Sequence, residues 1–483
     1  MANYLYGASV QGIQEFIFKT NQLQEIVGAS EIVKSLEQEF EKISGYQKKD
    51  SHILLNAAGN IKAIFTDKTK LEKVVKELPK IIMQKAYGIT ISQAVVKIAS
   101  EKQTQDEVNE LEKKLKIQRN KPAIPLDLSI NIMELAPKTA RPIKTINKKL
   151  IPVDMATEAK LQANEEFYNK NPQVREFRNL EDLSNSKNKL AIIHADGNGL
   201  GAIVPKLGDK LSEFSRKLDD ATTNAFKNAK TEQMKMREVI LGGDDMTVIC
   251  DASYALEFTK NFLDNFEKET SQIQELKDIG FEKLTACAGI AYCNEKYPFH
   301  YAVSLAEALC SATKKHAKVI NKDLAPSSLM FHNIQSSNFQ SWEKFVKDEL
   351  SIQNDKQTIR CDFGPYYLKQ EGQPSIEDFI NTVQAYAKDG SPISRLRNWM
   401  SELGKSSQSA ENLLKRINEM IIESEKWRCE IMDNNLKKIN PQLCNQVLII
   451  QKDKEKDCHG VEKELQKTPI YDVLQILSVT EVK

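Results

Sequence analysis

The order of apolar and polar positions runs through one pattern twice. Residues 3–9 form a short apolar run, and helical spacing follows from residue 11 to about residue 42. Two strand-like runs, 52–56 and 61–66, flank the turn Ala57-Ala58-Gly59-Asn60. Helical spacing returns over about 68–86, and 88–99 reads as a last strand. The second passage begins with the strand KLAIIHA at 189–195, then a helix over 206–230. Strands at 237–241 and 246–251 enclose Gly242-Gly243-Asp244-Asp245; 254–276 is helical and 283–292 is a strand. A further helix at 301–320 precedes an edge strand at 328–332.

Each passage predicts the element order βαββαβ, the ferredoxin-like arrangement in which helices pack on one face of an antiparallel sheet. The expected fold class is α+β, with two such units and a helical C-terminal region. Residues 101–119 read as a charged helix with apolar positions Val108, Leu111 and Leu115, a solvated arm or a helix set against a neighbour. Residues 121–152 read as an irregular linker. Beyond residue 334 helices dominate, for instance 393–403 and 410–436. The expected domains are 1–100, 101–184, 185–335 and 336–483.

Charge narrows the choice of partners. Lys+Arg 68 against Asp+Glu 67 leaves a net charge of +1, which removes the crude electrostatic case for a general nucleic-acid binder. No apolar run reaches the roughly 18–20 residues of a membrane helix, and the first residues lack the layout of a signal peptide. Eight cysteines without a CxxC pair fit reduced thiols in a cytoplasm. Cys287 and Cys293 read as buried thiols, and Trp342, Trp399 and Trp427 as core residues. A zinc site from Cys429, Cys444, Cys458 and His459 has wide, irregular spacing.

The candidate chemistry lies in HADGNGLG (194–201) and LGGDDMTV (241–248). In a βαββαβ sheet the first strand lies beside the third. The C-terminal end of the first strand and the tip of the hairpin therefore meet at one rim. Asp196, Asp244 and Asp245 are expected to converge there, although nearly 50 residues separate them in sequence. Three like charges together are costly unless a cation neutralises them. Hard oxygen ligands suit two Mg²⁺ or Mn²⁺ ions, with the Gly197 carbonyl as a further ligand. Gly197, Asn198, Gly199, Leu200 and Gly201 are expected to let backbone N–H groups approach a triphosphate at the start of a helix. Gly242 and Gly243 serve the tight turn. Lys314 and Lys318, at i,i+4, are placed to reach outer phosphates. His194 reads equally as a packed core histidine or a base contact. The plain alternative for GGDD is a hairpin turn, since Gly and Asp are the usual turn residues.

HADGNGLG, LGGDD, LTACAGIAYC, YPFHYAVSLAEALCSATKKHAK and SSLMFHNI together resemble the second palm domain of the large polymerase/cyclase subunit of type III CRISPR effectors. SVQGIQEFIF (9–18) resembles the opening of that family's first palm. The resemblance implies conversion of ATP into cyclic oligoadenylate messengers in antiviral defence, with Asp196, Asp244 and Asp245 holding the metal ions. It implies guide RNA and other type III subunits as partners, with a homodimer left open and no membrane. A catalytically weak scaffold and a standalone GGDEF-like synthase are the alternatives.

Three departures stand out. The family has an aspartate where this chain has Asn198. None of the six histidines precedes an aspartate, so no HD nuclease is expected and the chain is expected to start at the palm. The stretch APKTARPIKT holds no cysteine, so the family's zinc insertion is not expected. In the first passage Ser9 takes the place of Asp196, and Ala57-Ala58-Gly59-Asn60 that of GGDD, so that unit is expected to hold no metal pair. It reads equally as a nucleotide pocket and as a structural pseudo-repeat.

Overall fold

The structure is a computed structural model of the 483-residue chain and describes residues 3–47, 50–57, 59–99, 104–121, 130, 132–147, 150–174, 176–335, 341–353, 357–424, 453–456 and 462–481. Ala58, Trp427, Cys429, Cys444, Cys458 and His459 lie outside the described residues.

The first unit runs β1 (Asn3–Gln11), α1 (Ile13–Phe18), α2 (Leu23–Ser44), β2 (Ile53–Ala57), β3 (Asn60–Phe65), α3 (Lys68–Lys85) and β4 (Thr90–Ile98). Its sheet has the order β2-β3-β1-β4, with every pair antiparallel. The first helical stretch is broken between α1 and α2, where the chain turns at residues 19–22. Of the two readings of residues 101–119, α4 (Gln105–Arg119) is the helix set against a neighbour. Leu111 and Leu115 are fully buried against Leu5, Leu54, Ile64, Val96 and Ile98. Each such burial is worth about 1.5–3 kcal/mol. A Cβ on Gly7 would lie 2.8 Å from Leu111 Cδ2, so any larger residue there would displace the leucines that seat the helix on β1. The sheet is thus covered on both faces, not one.

A short antiparallel pair, β5 (Ile143–Ile146) and β6 (Pro152–Asp154), leads into α5 (Met155–Lys170), which packs along α2. The second unit follows: β7 (Lys189–Gly197), α6 (Leu200–Leu207), α7 (Leu211–Ala229), β8 (Met236–Gly242), β9 (Asp245–Asp251), α8 (Ala255–Thr270), α9 (Gln274–Asp278), β10 (Ala286–Asn294), α10 (Phe299–Ile320) and β11 (Ser328–Asn333). The expected helix at 206–230 is two helices, and the first starts at Leu200, immediately after the DGNG turn.

The C-terminal region adds α11 (Trp342–Asp348), β12 (Ser351–Gln353), β13 (Gln357–Arg360), β14 (Tyr366–Tyr367), α12 (Ile376–Tyr386), α13 (Ile393–Leu403), α14 (Ser407–Ser424), β15 (Asp453–Lys456), β16 (Glu462–Lys467) and α15 (Ile470–Val479). It is therefore not purely helical, since β12-β13-β16-β15 form a sheet of their own.

The second sheet has the order β14-β11-β10-β7-β9-β8. β11 is not an edge: it lies between β10, to which it is parallel, and β14. A parallel pair needs a crossover, and α10 supplies it. The run LAII in β7 is buried on both faces, as a sheet covered on both sides requires. Ala191, Ile193 and Ala195 face α7, α8 and the C-terminal helices. Leu190 and Ile192 face α10 and share a core with the first unit. Trp342, Trp399 and the Cys293 thiol are buried in these cores, and the Cys287 thiol in a small cluster with Cys310, Ala317, Ala325 and Tyr367.

The two units meet through reciprocal contacts. α2 lies on β8: the Ser30 hydroxyl donates to the Val239 carbonyl, Lys34 pairs with Glu238 at 3.1 Å, and Arg237 reaches Glu31 at 3.3 Å. α7 lies on β2, where the Ser212 hydroxyl donates to the Ile53 carbonyl at 2.8 Å.

Candidate metal and nucleotide site

The site grows from register. Asp196 on β7 is paired with Asp245 on β9, and Gly242 on β8 is also paired with Asp245. Side chains alternate along a strand, so Asp196 shares a face with Ile192 and His194. That is the face covered by α10. Asp244 joins them from the turn. Ligand atoms of Asp196, Asp244 and Asp245 lie within 4.8 Å of one another, and all three residues are half-buried.

Their electrostatics follow from that crowding. Burial, then Asp245 and Asp196, push the Asp244 carboxyl up to about 7 from 3.8. Burial, then Asp196, push Asp245 up to about 6. Lys314 answers part of the charge: its ammonium pairs with the Asp196 carboxylate and donates to the Gly197 carbonyl at 2.9 Å. One cation thus bridges two oxygens that a metal ion would take. This donor set of three carboxylates and a carbonyl, with negative charge left uncompensated, fits a hard divalent cation.

The glycines divide by function. A Cβ on Gly197 would lie 2.7 Å from Asp244 Cβ, and the Gly197 N–H donates to the Asp244 carbonyl at 3.2 Å, so the turn closes directly onto β7. Gly199 caps α6 in the left-handed region at φ 83°, which leaves the first N–H groups of Leu200 and Gly201 at a helix start. A Cβ on Gly201 would meet nothing within 4 Å, so that approach is open. Gly243 turns the hairpin at φ 60°, and a Cβ on Gly242 would lie 3.3 Å from Asp219 Oδ1.

Two of the expected binding residues are not part of the carboxylate cluster. Asn198 is only 1% exposed and faces inward. Its amide donates to Thr285 Oγ1 at 3.2 Å and to the Ala325 carbonyl at 3.0 Å, while its N–H donates to the Thr285 carbonyl at 2.8 Å. It anchors the end of β7 through its amide nitrogen, and its Oδ1 is buried without a hydrogen-bond partner. Lys318, one turn beyond Lys314 on α10, is exposed and makes no contact with the cluster among the described residues.

His194 packs beside the cluster with Nδ1 3.1 Å from Thr247 Oγ1, and burial pulls its pKa down, favouring the neutral ring. Three residues near the cluster escaped the sequence reading. Glu307 on α10 is raised by burial and by Asp245. Asp219 and Thr222 on α7 bond the backbone of the turn. Only their helical spacing on a face turned to the hairpin could have marked them.

The first unit gives the contrast. Ser9 pairs in register with Asn60, and its hydroxyl donates to Asn60 Oδ1 at 3.1 Å. Across β4, Gln11 donates to Ser92 Oγ at 3.0 Å. Neutral hydrogen bonds occupy the rim where the second unit holds carboxylates.

Residues 189–323 match the family model of the Cas10/Cmr2 second palm domain. None of the curated proteins is significantly similar in sequence to the chain. Among solved structures, the Csm1–Csm4 cassette in complex with pppApApA aligns at TM-score 0.52 and 12% identity, over 99% of this chain and 69% of that one. The cassette in complex with pppApA aligns at TM-score 0.51 and 14% identity, over 99% and 70%. A cassette in complex with cA4 aligns at TM-score 0.46 and 15% identity over 65% of this chain, which spans only about half (53%) of its length. At these identities the likeness is one of fold. No helix among the described residues is long and apolar enough to cross a membrane. The chain resembles the Cas10 large subunit of type III CRISPR effectors, and the resemblance is most specific over its second sheet.

Proposed function

We propose that the second unit is a GGDD palm of ferredoxin-like topology, and that it joins ATP into oligoadenylates and closes them into cyclic messengers for antiviral defence. The observation that carries this is the convergence of Asp196, Asp244 and Asp245, with Lys314, at one rim of the sheet. In each step the 3′-hydroxyl oxygen of one adenosine bonds to the α-phosphorus of another ATP. The bond from that phosphorus to the bridging oxygen breaks, pyrophosphate leaves with the bonding pair, and the hydroxyl proton passes to solvent. Closure is the same displacement within one chain.

The residues divide this work. Asp196, Asp244, Asp245 and the Gly197 carbonyl would hold two Mg²⁺ or Mn²⁺ ions, which when bound make the hydroxyl a better nucleophile and offset charge on the leaving pyrophosphate. Lys314, which pairs with Asp196 here, would be positioned to meet phosphate oxygens if a cation took its place on that carboxylate. The open N-terminus of α6 at Leu200 and Gly201 offers N–H groups to phosphate. The first unit, with Ser9 and Asn60, shapes the nucleotide cleft without metal chemistry. The likeness to Csm1 in its cassette with Csm4 supports assembly with a subunit of that kind. Domains 1–100, 101–184, 185–335 and 336–483 follow from the same reading.

The test is direct. The purified protein, with and without RNA, is incubated with each NTP and Mg²⁺ or Mn²⁺, and products are identified by mass. Oligoadenylate and pyrophosphate are expected, and Asp244→Ala with Asp245→Ala should reduce product to background while the fold persists. Undiminished product in that double variant would refute the reading.

A further inference from the structure

The turn that carries two of the three carboxylates is held from outside the sheet by a single helix. Gly243 sits at φ 60° between β8 and β9. Its N–H donates to Asp219 Oδ1 at 3.1 Å, and its carbonyl accepts from the Thr222 hydroxyl at 2.5 Å. Asp219 and Thr222 stand three apart on α7 and so project from one face. The next peptide is held from the opposite side, where the Asp244 carbonyl accepts the Gly197 N–H at 3.2 Å. Three consecutive peptide groups are therefore pinned, two by α7 and one by β7, and the side chains of Asp244 and Asp245 hang on that backbone.

Thr222 is fully buried, and a threonine inside a helix has a ready acceptor of its own. Here that acceptor is the Leu218 carbonyl at 3.0 Å, and the shorter contact is to the turn. The same helix reaches the first unit: Ser212, seven residues before Asp219, donates to the Ile53 carbonyl of β2 at 2.8 Å. α7 thus fastens the turn and the first unit to one rigid element.

We infer that Asp219 and Thr222 are positioning residues, which fix the Gly243 peptide and through it the distance of Asp244 and Asp245 from Asp196. The inference rests on reading the carboxylate cluster as a metal site. Neither residue touches the reacting atoms; the effect runs through the backbone between them.

The experiment measures Mn²⁺ binding by calorimetry on the full chain without nucleotide, ATP turnover at saturating substrate, and melting temperature. Asp219→Ala and Thr222→Val, the latter isosteric, should each weaken Mn²⁺ binding about 10-fold and lower turnover about 10–100-fold, with melting shifted by a few degrees at most. Thr222→Ser, which restores the hydroxyl, should recover most of both losses. If Thr222→Val binds Mn²⁺ and turns over as the natural chain does, or if Thr222→Ser recovers nothing at equal melting temperature, the inference falls while the metal site stands. If the natural chain binds no Mn²⁺ and consumes no ATP, the metal site falls, and the inference with it.

Discussion

The two sheet units share a strand order and differ in what they hold at the same rim. β1 and β3 place Ser9 opposite Asn60, as β7 and β9 place Asp196 opposite Asp245. In the first unit a hydroxyl and an amide satisfy each other at 3.1 Å. In the second, carboxylates crowd within 4.8 Å and Lys314 is drawn in to offset them. Backbone pairing therefore delivers two side chains to one place in either unit. The residue types decide whether that place is a closed hydrogen bond or a crowd of carboxylates that a cation could neutralise.

The sharpest way to break this contrast is to write the first unit's residues into the second. Asp196→Ser with Asp245→Asn recreates the Ser9–Asn60 pair at the second rim. Two of three carboxylates are then gone, so Mn²⁺ binding and ATP turnover should both fall to background, read by calorimetry and by mass detection of product. Retained binding would mean that Asp244 and backbone oxygens suffice, and that the contrast between the units does not lie in these positions.

A smaller effect should appear with pH. Burial and mutual repulsion hold Asp244 at about 7 and Asp245 at about 6, against 3.8 for an ordinary aspartate. Both pKa values are raised, so the folded chain favours the neutral carboxyls. The stability they contribute is complete below pH 3.8 and is lost as pH rises through about 6 and then about 7. Metal binding runs the other way, because the ligands must be deprotonated. Mn²⁺ affinity should therefore climb, by about 10-fold or more, between pH 5 and pH 8 and then level off. The melting temperature gained on adding Mn²⁺ should be larger at pH 8 than at pH 5. A binding constant flat across that range would show that protons and metal do not compete for these groups.

Much of this was legible in the letters, and the remainder was hidden for physical reasons. The order βαββαβ followed from periodicity, and the meeting of Asp196 with Asp244 and Asp245 followed from the adjacency of first and third strands. The second covered face did not, although LAII in β7, a run without alternation, carries that signal. The residues before Leu111 and Leu115 look like those of a solvated helix, and only Gly7, a gap with no visible purpose in sequence, marks where they seat. Asn198 follows Asp196 and Gly197 in a motif that suggests a ligand, yet its amide is committed to Thr285 and Ala325, contacts set by distant chain. β15 (DKEK) and β16 (EKELQK) have too few apolar residues to show strand alternation, and β16 takes its place by pairing with β13. Asp219 and Thr222 were invisible because their partners are backbone atoms of Gly243, which no residue type announces.

The smallest effect comes from the reverse exchange, Ser9→Asp with Asn60→Asp. By register, Gly59 stands where Asp244 would, so two carboxylates would face each other without a third. Ser9 is buried, and the exchange replaces a hydrogen bond by like charge. A loss of about 1–3 kcal/mol in folding stability is expected from the denaturant midpoint. The loss should be larger at pH 8 than at pH 4, since buried carboxylates are tolerated neutral and penalised ionised. Mn²⁺ should not restore it, because two ligands without the turn aspartate leave a cation mostly to water. Restoration by Mn²⁺ would show that two carboxylates on paired strands already make a site, and would shift the distinction between the units from the GGDD turn to the strand pair alone.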